Sequence, residues 1–235
     1  MKTLKILSGG AAQSLVGSLA PTLKAETGFD IAGEFGAVGT MADRLRAGMP
    51  TDVIILAAAL VSRLADEGLV LRSSVTDIGQ VETALAVRAG DPPASVKDAA
   101  DLCNALLAAD AIFVPDTKTS TAGIHVAKVL TDLGIADKVA DRLRVFANGA
   151  TAMRRLATSD ARHPLGCTQS TEIISTEGVL LSGVLPPGCG LATMYTAAQA
   201  THASATRQAQ RLIALLASPG ARDLRSRAGF VTDRI

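Results

Sequence analysis

Residues 52–56, DVIIL, constrain the fold more than any other stretch of the chain. Successive side chains of a strand point to opposite faces, so a strand that is apolar throughout needs both faces covered. That condition is met inside a parallel sheet flanked by helices. A second run of the same kind, AIFV at 111–114, extends the argument to a later part of the chain. Between and around these runs the pattern alternates. Residues 4–7 form a short apolar strand, followed by a glycine-rich turn and an amphipathic helix over about 12–26, which Gly28 ends. Residues 31–35 read as a strand and 41–47 as a helix stopped by Gly48 and Pro50. Further on, strands are expected at 81–87, 144–146 and 179–184, and helices at 95–108, 119–133, 150–157 and 206–217. Strands alternating with helices at this pace predict right-handed βαβ units and an α/β fold.

Composition narrows the function classes. A chain of 235 residues can bury a full core, and 48% hydrophobic against 19% charged residues marks it as globular. Aromatic residues are only 3% with no Trp, so Ala, Leu, Val and Ile must fill the interior. The formal net charge of +1 supplies no field for nucleic acid or a membrane surface, and neither is expected as a partner. Selectivity for an anion must then come from local dipoles. Cys103, Cys167 and Cys189 lie far apart with no C-x-x-C pair, which argues against a disulfide scaffold or a zinc site. No two of His125, His163 and His202 stand at metal-ligand spacing, so neither metal nor cofactor is expected. No apolar run reaches the roughly 18 residues of a membrane span. The opening MKTLKILSGG lacks the apolar stretch of a secretory signal, so the chain as written is expected to be cytoplasmic, or periplasmic if a signal has been removed.

In open parallel sheets, ligands gather at the carboxyl ends of strands, where helix N-termini present free N–H groups. Four strand-to-helix turns suit that task. Ser8, Gly9, Gly10 and Ala11 allow close backbone approach. Gly36 to Thr40 form a similar turn with one hydroxyl, through Val38, Gly39 and Thr40. The segment from Asp116 to Gly123 places four hydroxyls and Lys118 at a helix start, among them Thr119, Ser120 and Thr121 beside Ala122. Asn148, Gly149, Ala150 and Thr151 open another helix. Ordinary turn and capping chemistry is the plain alternative for each turn alone. None is a P-loop or a dinucleotide fingerprint, because the required glycine spacings are missing. Cys167, Thr168, Gln169, Ser170, Thr171 and Glu172, following Gly166, read as a fifth turn. Tyr195 is the only Tyr and can offer a phenol to a ligand or simply pack, while Arg154 and Arg155 read as a solvated helix face.

Several segments resemble the molybdate-binding branch of the solute-binding proteins of ABC transporters. The C-terminal LIALLASPGARDLRSRAGF is similar to that family's closing helix, turn, second helix and Gly-Phe. GEFGAVGTMADRLRAGMPTDVIIL, PDTKTSTAGIHVAKVLTDLGI and MYTAA resemble its first-lobe turn, second-lobe helix start and returning segment. The resemblance implies a two-lobed type II periplasmic-binding fold, each lobe a mixed, mostly parallel sheet flanked by helices, with a ligand cleft between the lobes. The lobes are expected at 1–81 plus 194–235 and at 82–193. It further implies oxyanion contacts from Ala11, Val38 to Thr40, Thr121 and Ala122, Gly149 and Ala150, and Thr168 and Gln169. Two departures redirect the ligand. Ala11 stands where the family's site uses Ser, and Thr40 is the sole hydroxyl of the second turn. Each hydroxyl lost from a buried oxyanion shell costs about 1–3 kcal/mol, so a carboxylate or other oxyanion larger than molybdate is expected. An ABC-transporter permease is the implied partner if the chain is exported.

The same branch includes aconitate-isomerase-like enzymes, which implies a second function: a proton shift along an unsaturated di- or tricarboxylic acid. That chemistry needs a poised base and a fixed positive field for the developing enolate. Lys118 at a helix start is the candidate for the field, and Glu172, Cys167 or Tyr195 for the base, with nothing in the sequence to rank them.

Overall fold

The structure, a computed structural model, describes residues 2–231. Its elements in chain order are β1 (Thr3–Gly9), α1 (Gln13–Thr27), β2 (Asp30–Gly36), α2 (Val38–Arg46), β3 (Val53–Ala57), α3 (Ala58–Asp66) and β4 (Thr76–Arg88). There follow α4 (Ala99–Ala108), β5 (Ala111–Pro115), α5 (Thr121–Asp132), α6 (Ala136–Val139), β6 (Leu143–Phe146), α7 (Gly149–Ala157) and β7 (Pro164–Gln169). The chain closes with α8 (Ser170–Ile174), β8 (Val179–Val184), β9 (Ala192–Gln199), α9 (Thr206–Ala217) and α10 (Arg222–Arg227). It divides into two compact units, one running to Val81 and resuming at Thr193, the other Glu82–Ala192. The first boundary falls inside β4 and the second at the start of β9.

In the first unit the strand order is β2-β1-β3-β9, with β1 parallel to both neighbours and β9 antiparallel to β3. The DVIIL strand is central, and Val53, Ile54, Ile55 and Leu56 are all fully buried, as an apolar run in a two-sided sheet requires. Leu15, Val16, Leu19 and Leu23 recur at helical spacing on α1 and join the same core, as do Leu212, Ile213 and Leu216 of α9. Asp52 ties these layers together. Its buried carboxylate accepts the N–H of Lys5 at 2.8 Å, of Ser204 at 2.7 Å and of Ala205 at 2.9 Å. One side chain thus satisfies a strand edge and the start of α9.

In the second unit β5 lies between β6 and β7, parallel to both, and β4 pairs antiparallel with β7 and with β8. Period-two alternation splits the sheet into two cores. Leu85, Val87, Ile112 and Val114 join Leu102, Leu106, Val126 and Leu130 of α4 and α5 on one face. Ala84, Ala86 and Phe113 join Ala152, Met153 and Leu156 of α7 on the other. Phe113 stacks on Phe146 with centroids 5.9 Å apart. On α7 the buried positions 149, 152, 153 and 156 follow the helical repeat, and Arg154 and Arg155 point to solvent.

Most expected elements are present, and the differences have local causes. The helix expected from residue 95 begins at Ala99, because Asp98 caps it by accepting the N–H of Asp101. The helix expected from 119 begins at Thr121, because Asp116 draws the N–H groups of Lys118 and Thr119 into a turn. The residues from Cys167 to Glu172, expected as a turn after Gly166, are instead divided between the fully buried strand β7 and helix α8. Helix α3 follows β3 without any loop and without a polar cap, so no boundary signal precedes it.

Candidate functional site

In the first unit, the parallel register sets Gly9 opposite Gly36, so the turns after β1 and β2 stand side by side. Ser8 is buried and spends its hydroxyl on the carbonyl of Gly9 at 2.9 Å. Gly10 opens a single 3-10 turn in which Ala11 is buried. Tyr195 reaches the same place from β9, where it pairs with Ala57. A Cβ at Gly9 would lie 2.9 Å from both Tyr195 Cε1 and Val38 Cγ1, and 3.1 Å from the phenol oxygen. Glycine is therefore required here by close approach. The structure brings Gly9, Val38 and Tyr195 together; Thr40 faces solvent from the first turn of α2. Tyr195 also meets Phe230 edge to face, with centroids 6.3 Å apart.

The helical segments that follow these strands start in an unusual way. Gly9, Ala37 and Ala57 precede them, and none has a side chain that can accept a hydrogen bond from the first turn. Asp, Asn, Ser and Thr normally fill such positions. Elsewhere the chain uses them: Asp98 caps α4 and Asp52 accepts from the N–H that opens onto α9.

In the second unit the turn after β5 is organised by Asp116. Its carboxylate accepts the N–H of Lys118 at 2.8 Å, the N–H of Thr119 at 2.7 Å and the Thr119 hydroxyl at 2.9 Å. The N–H of Lys118, then the hydroxyl and N–H of Thr119, hold its pKa below the ordinary aspartate value. Lys118 itself is exposed. Ser120, buried at the N-cap of α5, makes no side-chain cap bond, and Ala122 is buried behind it. Asn148 caps α7 by accepting the N–H of Thr151 at 2.8 Å.

At the end of β7 a run of polar residues, Thr168, Gln169, Ser170, Thr171 and Glu172, is buried throughout. Thr168 donates its hydroxyl to Glu172 at 2.6 Å. Burial pushes the Glu172 pKa up; Thr168 and the N–H groups of Ala150, Gln169 and Gly149 oppose that shift without cancelling it. A Cβ on Gly149 would overlap both the Glu172 carboxyl and the Thr168 hydroxyl. Glu172 therefore fills the start of α7 with an internal carboxyl group. Among the three candidate bases, Cys167 is buried in apolar surroundings that raise its thiol to about 12, which removes it as a nucleophile or base at neutral pH.

The residues expected at a ligand site thus fall into two groups. One holds residues 8–11, 38–40 and Tyr195, and the other holds 148–150, Thr168, Gln169 and Glu172, with the turn 118–122 after β5 as a further member of the second unit. Asp116 and the Thr168–Glu172 pair were not foreseen in these roles, although an Asp two and three residues before the N–H groups it accepts is a recognisable turn pattern. His125 is structural: its Nε2 donates to the carbonyl of Cys189 at 2.8 Å. Among the described residues no cluster of His, Cys, Asp or Glu is placed to hold a metal ion, and no helix is long and apolar enough to cross a membrane.

Comparison with known proteins places this geometry. An aconitate isomerase from a Pseudomonas species is 26% identical over 228 residues, which span 93% of this chain and 84% of that protein. The periplasmic molybdate-binding protein of Azotobacter vinelandii has a TM-score of 0.83 at 18% identity, covering 98% of this chain and 100% of that one. The sulfate-binding protein SubI of Mycobacterium tuberculosis H37Rv has a TM-score of 0.79 at 17% identity, covering 100% and 88%. Likeness at those identities is one of fold, the type II periplasmic-binding fold. Residues 4–231 match the bacterial extracellular solute-binding proteins, and the chain belongs to that family.

Proposed function

We propose that this chain binds a small carboxylate or related oxyanion, larger than molybdate, at its strand-end turns. One observation carries the reading: the helical segments after β1, β2, β3 and β5 begin without a side-chain cap. Their first-turn N–H groups and positive dipole ends favour an anion, and the net charge of the chain supplies no competing field. The ligand-contacting residues in this reading are Ser8, Gly9, Gly10 and Ala11, then Val38, Gly39 and Thr40. Within the second unit the candidate contacts are Thr119, Ser120, Thr121 and Ala122, then Asn148, Gly149 and Ala150, with Thr168 and Gln169. A permease of an ABC transporter is the partner that such a receptor would serve. Thermal unfolding with molybdate, tungstate, sulfate and a panel of di- and tricarboxylates tests the reading. A ligand at a hundredfold excess over its Kd adds about 2.7 kcal/mol of stability. A response to tungstate with none to any carboxylate would overturn the preference for a larger anion.

A second reading is favoured by Glu172 and by the 26% identity to an aconitate isomerase. Here the bound acid is isomerised. A base takes the proton from an allylic carbon beside a carboxylate, and the freed electron pair forms a double bond to the adjacent carbon. The original π pair moves to the far carbon of the allylic unit, and the proton is returned there. Glu172, whose pKa burial raises above the ordinary carboxylate value, is the candidate group that both takes and returns the proton. Lys118, in the turn that precedes α5, supports the developing negative charge, and the Tyr195 phenol is the remaining proton-bearing candidate. Proton NMR of unsaturated acids in deuterated water separates the readings. Deuterium wash-in at an allylic carbon, lost in Glu172→Gln, supports catalysis, whereas saturable binding without exchange leaves a receptor.

A further inference from the structure

We infer that the second unit carries a separate site for a monocarboxylate with an apolar tail, at the end of its sheet where β5 and β7 begin. A cavity of about 470 Å³ opens there, within the size range of small-molecule sites. Val87, Ala105, Ala109 and Leu165 make its apolar wall, and Arg162 and His163 stand at its polar side. Its place is set by topology. Ala109 precedes β5, His163 precedes β7, and the Thr168–Glu172 pair lies at the opposite, carboxyl end of β7.

The polar side is held in place by its neighbours. Arg88 donates to the carbonyls of Ser159 and Ala161, which pins the loop that presents Arg162. On the other side His163 is anchored through its backbone, its N–H donating to Asp110 Oδ2 at 3.1 Å and its carbonyl accepting from the Asp110 N–H at 3.1 Å. Arg162 sits between these anchors with an exposed guanidinium that pairs with no carboxylate among the described residues. The one acidic group in the lining, Asp91, is engaged by Arg88 at 3.1 Å. The charge left unmatched is thus that of Arg162. A guanidinium prefers a planar carboxylate, which it can engage through two parallel hydrogen bonds. The apolar wall takes the tail, and its small alanines leave the room.

Titration calorimetry on the full chain with hexanoate, octanoate and decanoate tests this site. Each added methylene that enters the cavity should tighten binding by up to about fourfold. Octanol and octylammonium, which share the tail but not the carboxylate, should bind at least about tenfold more weakly than octanoate. Arg162→Ala should weaken octanoate to the level of octanol, and Arg162→Lys should restore part of the loss. Ala108→Trp, at an exposed lining position, should block binding while leaving the melting temperature unchanged. The response to short di- and tricarboxylates should be unaltered in every variant, because that response belongs to the strand-end turns. The proposal is overturned if no member of the series saturates. It is equally overturned if octanoate binds alike in the wild type, Arg162→Ala and Ala108→Trp, or if octylammonium binds as tightly as octanoate.

Discussion

Thr168, on the penultimate residue of β7, donates its hydroxyl to Glu172 at 2.6 Å, and both residues are buried. They lie four positions apart in the chain, so the strand end and the helical turn of α8 are coupled by one hydrogen bond. The carboxyl group that accepts it also lies against Gly149 at the start of α7. Three consecutive structural elements of the second unit thus meet at a single ionisable group.

That group makes stability depend on pH. The Glu172 pKa is raised in the folded state above its ordinary value of 4.5, so the native protein binds more protons than the unfolded chain above that pH. Stability is then fully present below about pH 4.5 and falls as pH rises through the folded pKa. Glu172→Gln, which keeps the shape and removes the titration, should flatten this decline. Urea denaturation at a series of pH values from acid to mildly alkaline is the check, and an unchanged slope would show that Glu172 is not its source.

Gly149 leaves no room for a side chain beside that carboxyl. Gly149→Ala should displace Glu172 and destabilise the protein by about 1–3 kcal/mol, the usual cost of overpacking. Anion affinity should fall with it if the start of α7 belongs to the site. Pairing Gly149→Ala with Glu172→Gln in a double-mutant cycle would reveal coupling, since the two residues are in contact.

Thr119 and Ser120 should behave differently despite being neighbours. Thr119 spends its hydroxyl on Asp116, so Thr119→Ala should cost about 0.5–1.5 kcal/mol of stability. Ser120 makes no cap bond, so Ser120→Ala should leave stability nearly unchanged and lower ligand affinity. Asp116 adds a pH signature. Its folded pKa lies below the ordinary 3.8, so the stability it lends is present above that value and lost as pH falls further. Melting curves and ligand titrations of both alanine variants distinguish the roles.

The cysteines should separate by reactivity. Cys103 is half-buried, whereas Cys167 and Cys189 are buried and the Cys167 thiol is raised to about 12. A thiol reagent at pH 8 should modify Cys103 first, and Cys167 only when the protein unfolds. Peptide mapping after timed labelling reads this directly, and early modification of Cys167 would contradict its burial.

Asp52→Ala should destabilise the first unit by about 2–3 kcal/mol. It strips a charged acceptor from the N–H groups of Lys5, Ser204 and Ala205 and from the Ser204 hydroxyl, in a buried setting. Chemical denaturation measures the loss.

The elements were legible where local physics decides them. DVIIL and AIFV are apolar on both faces, and both became central strands of their sheets. The helix over 206–217 follows its hydrophobic repeat and ends where Ser218 and Pro219 break it. The uncapped strand-end turns are also a local matter, because Gly9, Ala37 and Ala57 lack a side-chain acceptor in any fold.

The tertiary structure decided the rest. The stretch 167–169, following Gly166, reads as the opening of a turn. It is part of the buried strand β7 because β4 and β5 satisfy that strand's backbone and Glu172 satisfies Thr168, partners that no local pattern announces. Tyr195 was one of three unranked candidates until the pairing of β3 with β9 set it against Gly9. Cys167 left that group once its surroundings proved wholly buried. Chain pattern determines which segments become strands and helices, because periodicity and capping act over a few residues. Which side chains share an environment, and so which proton can move, is decided only when distant segments pack.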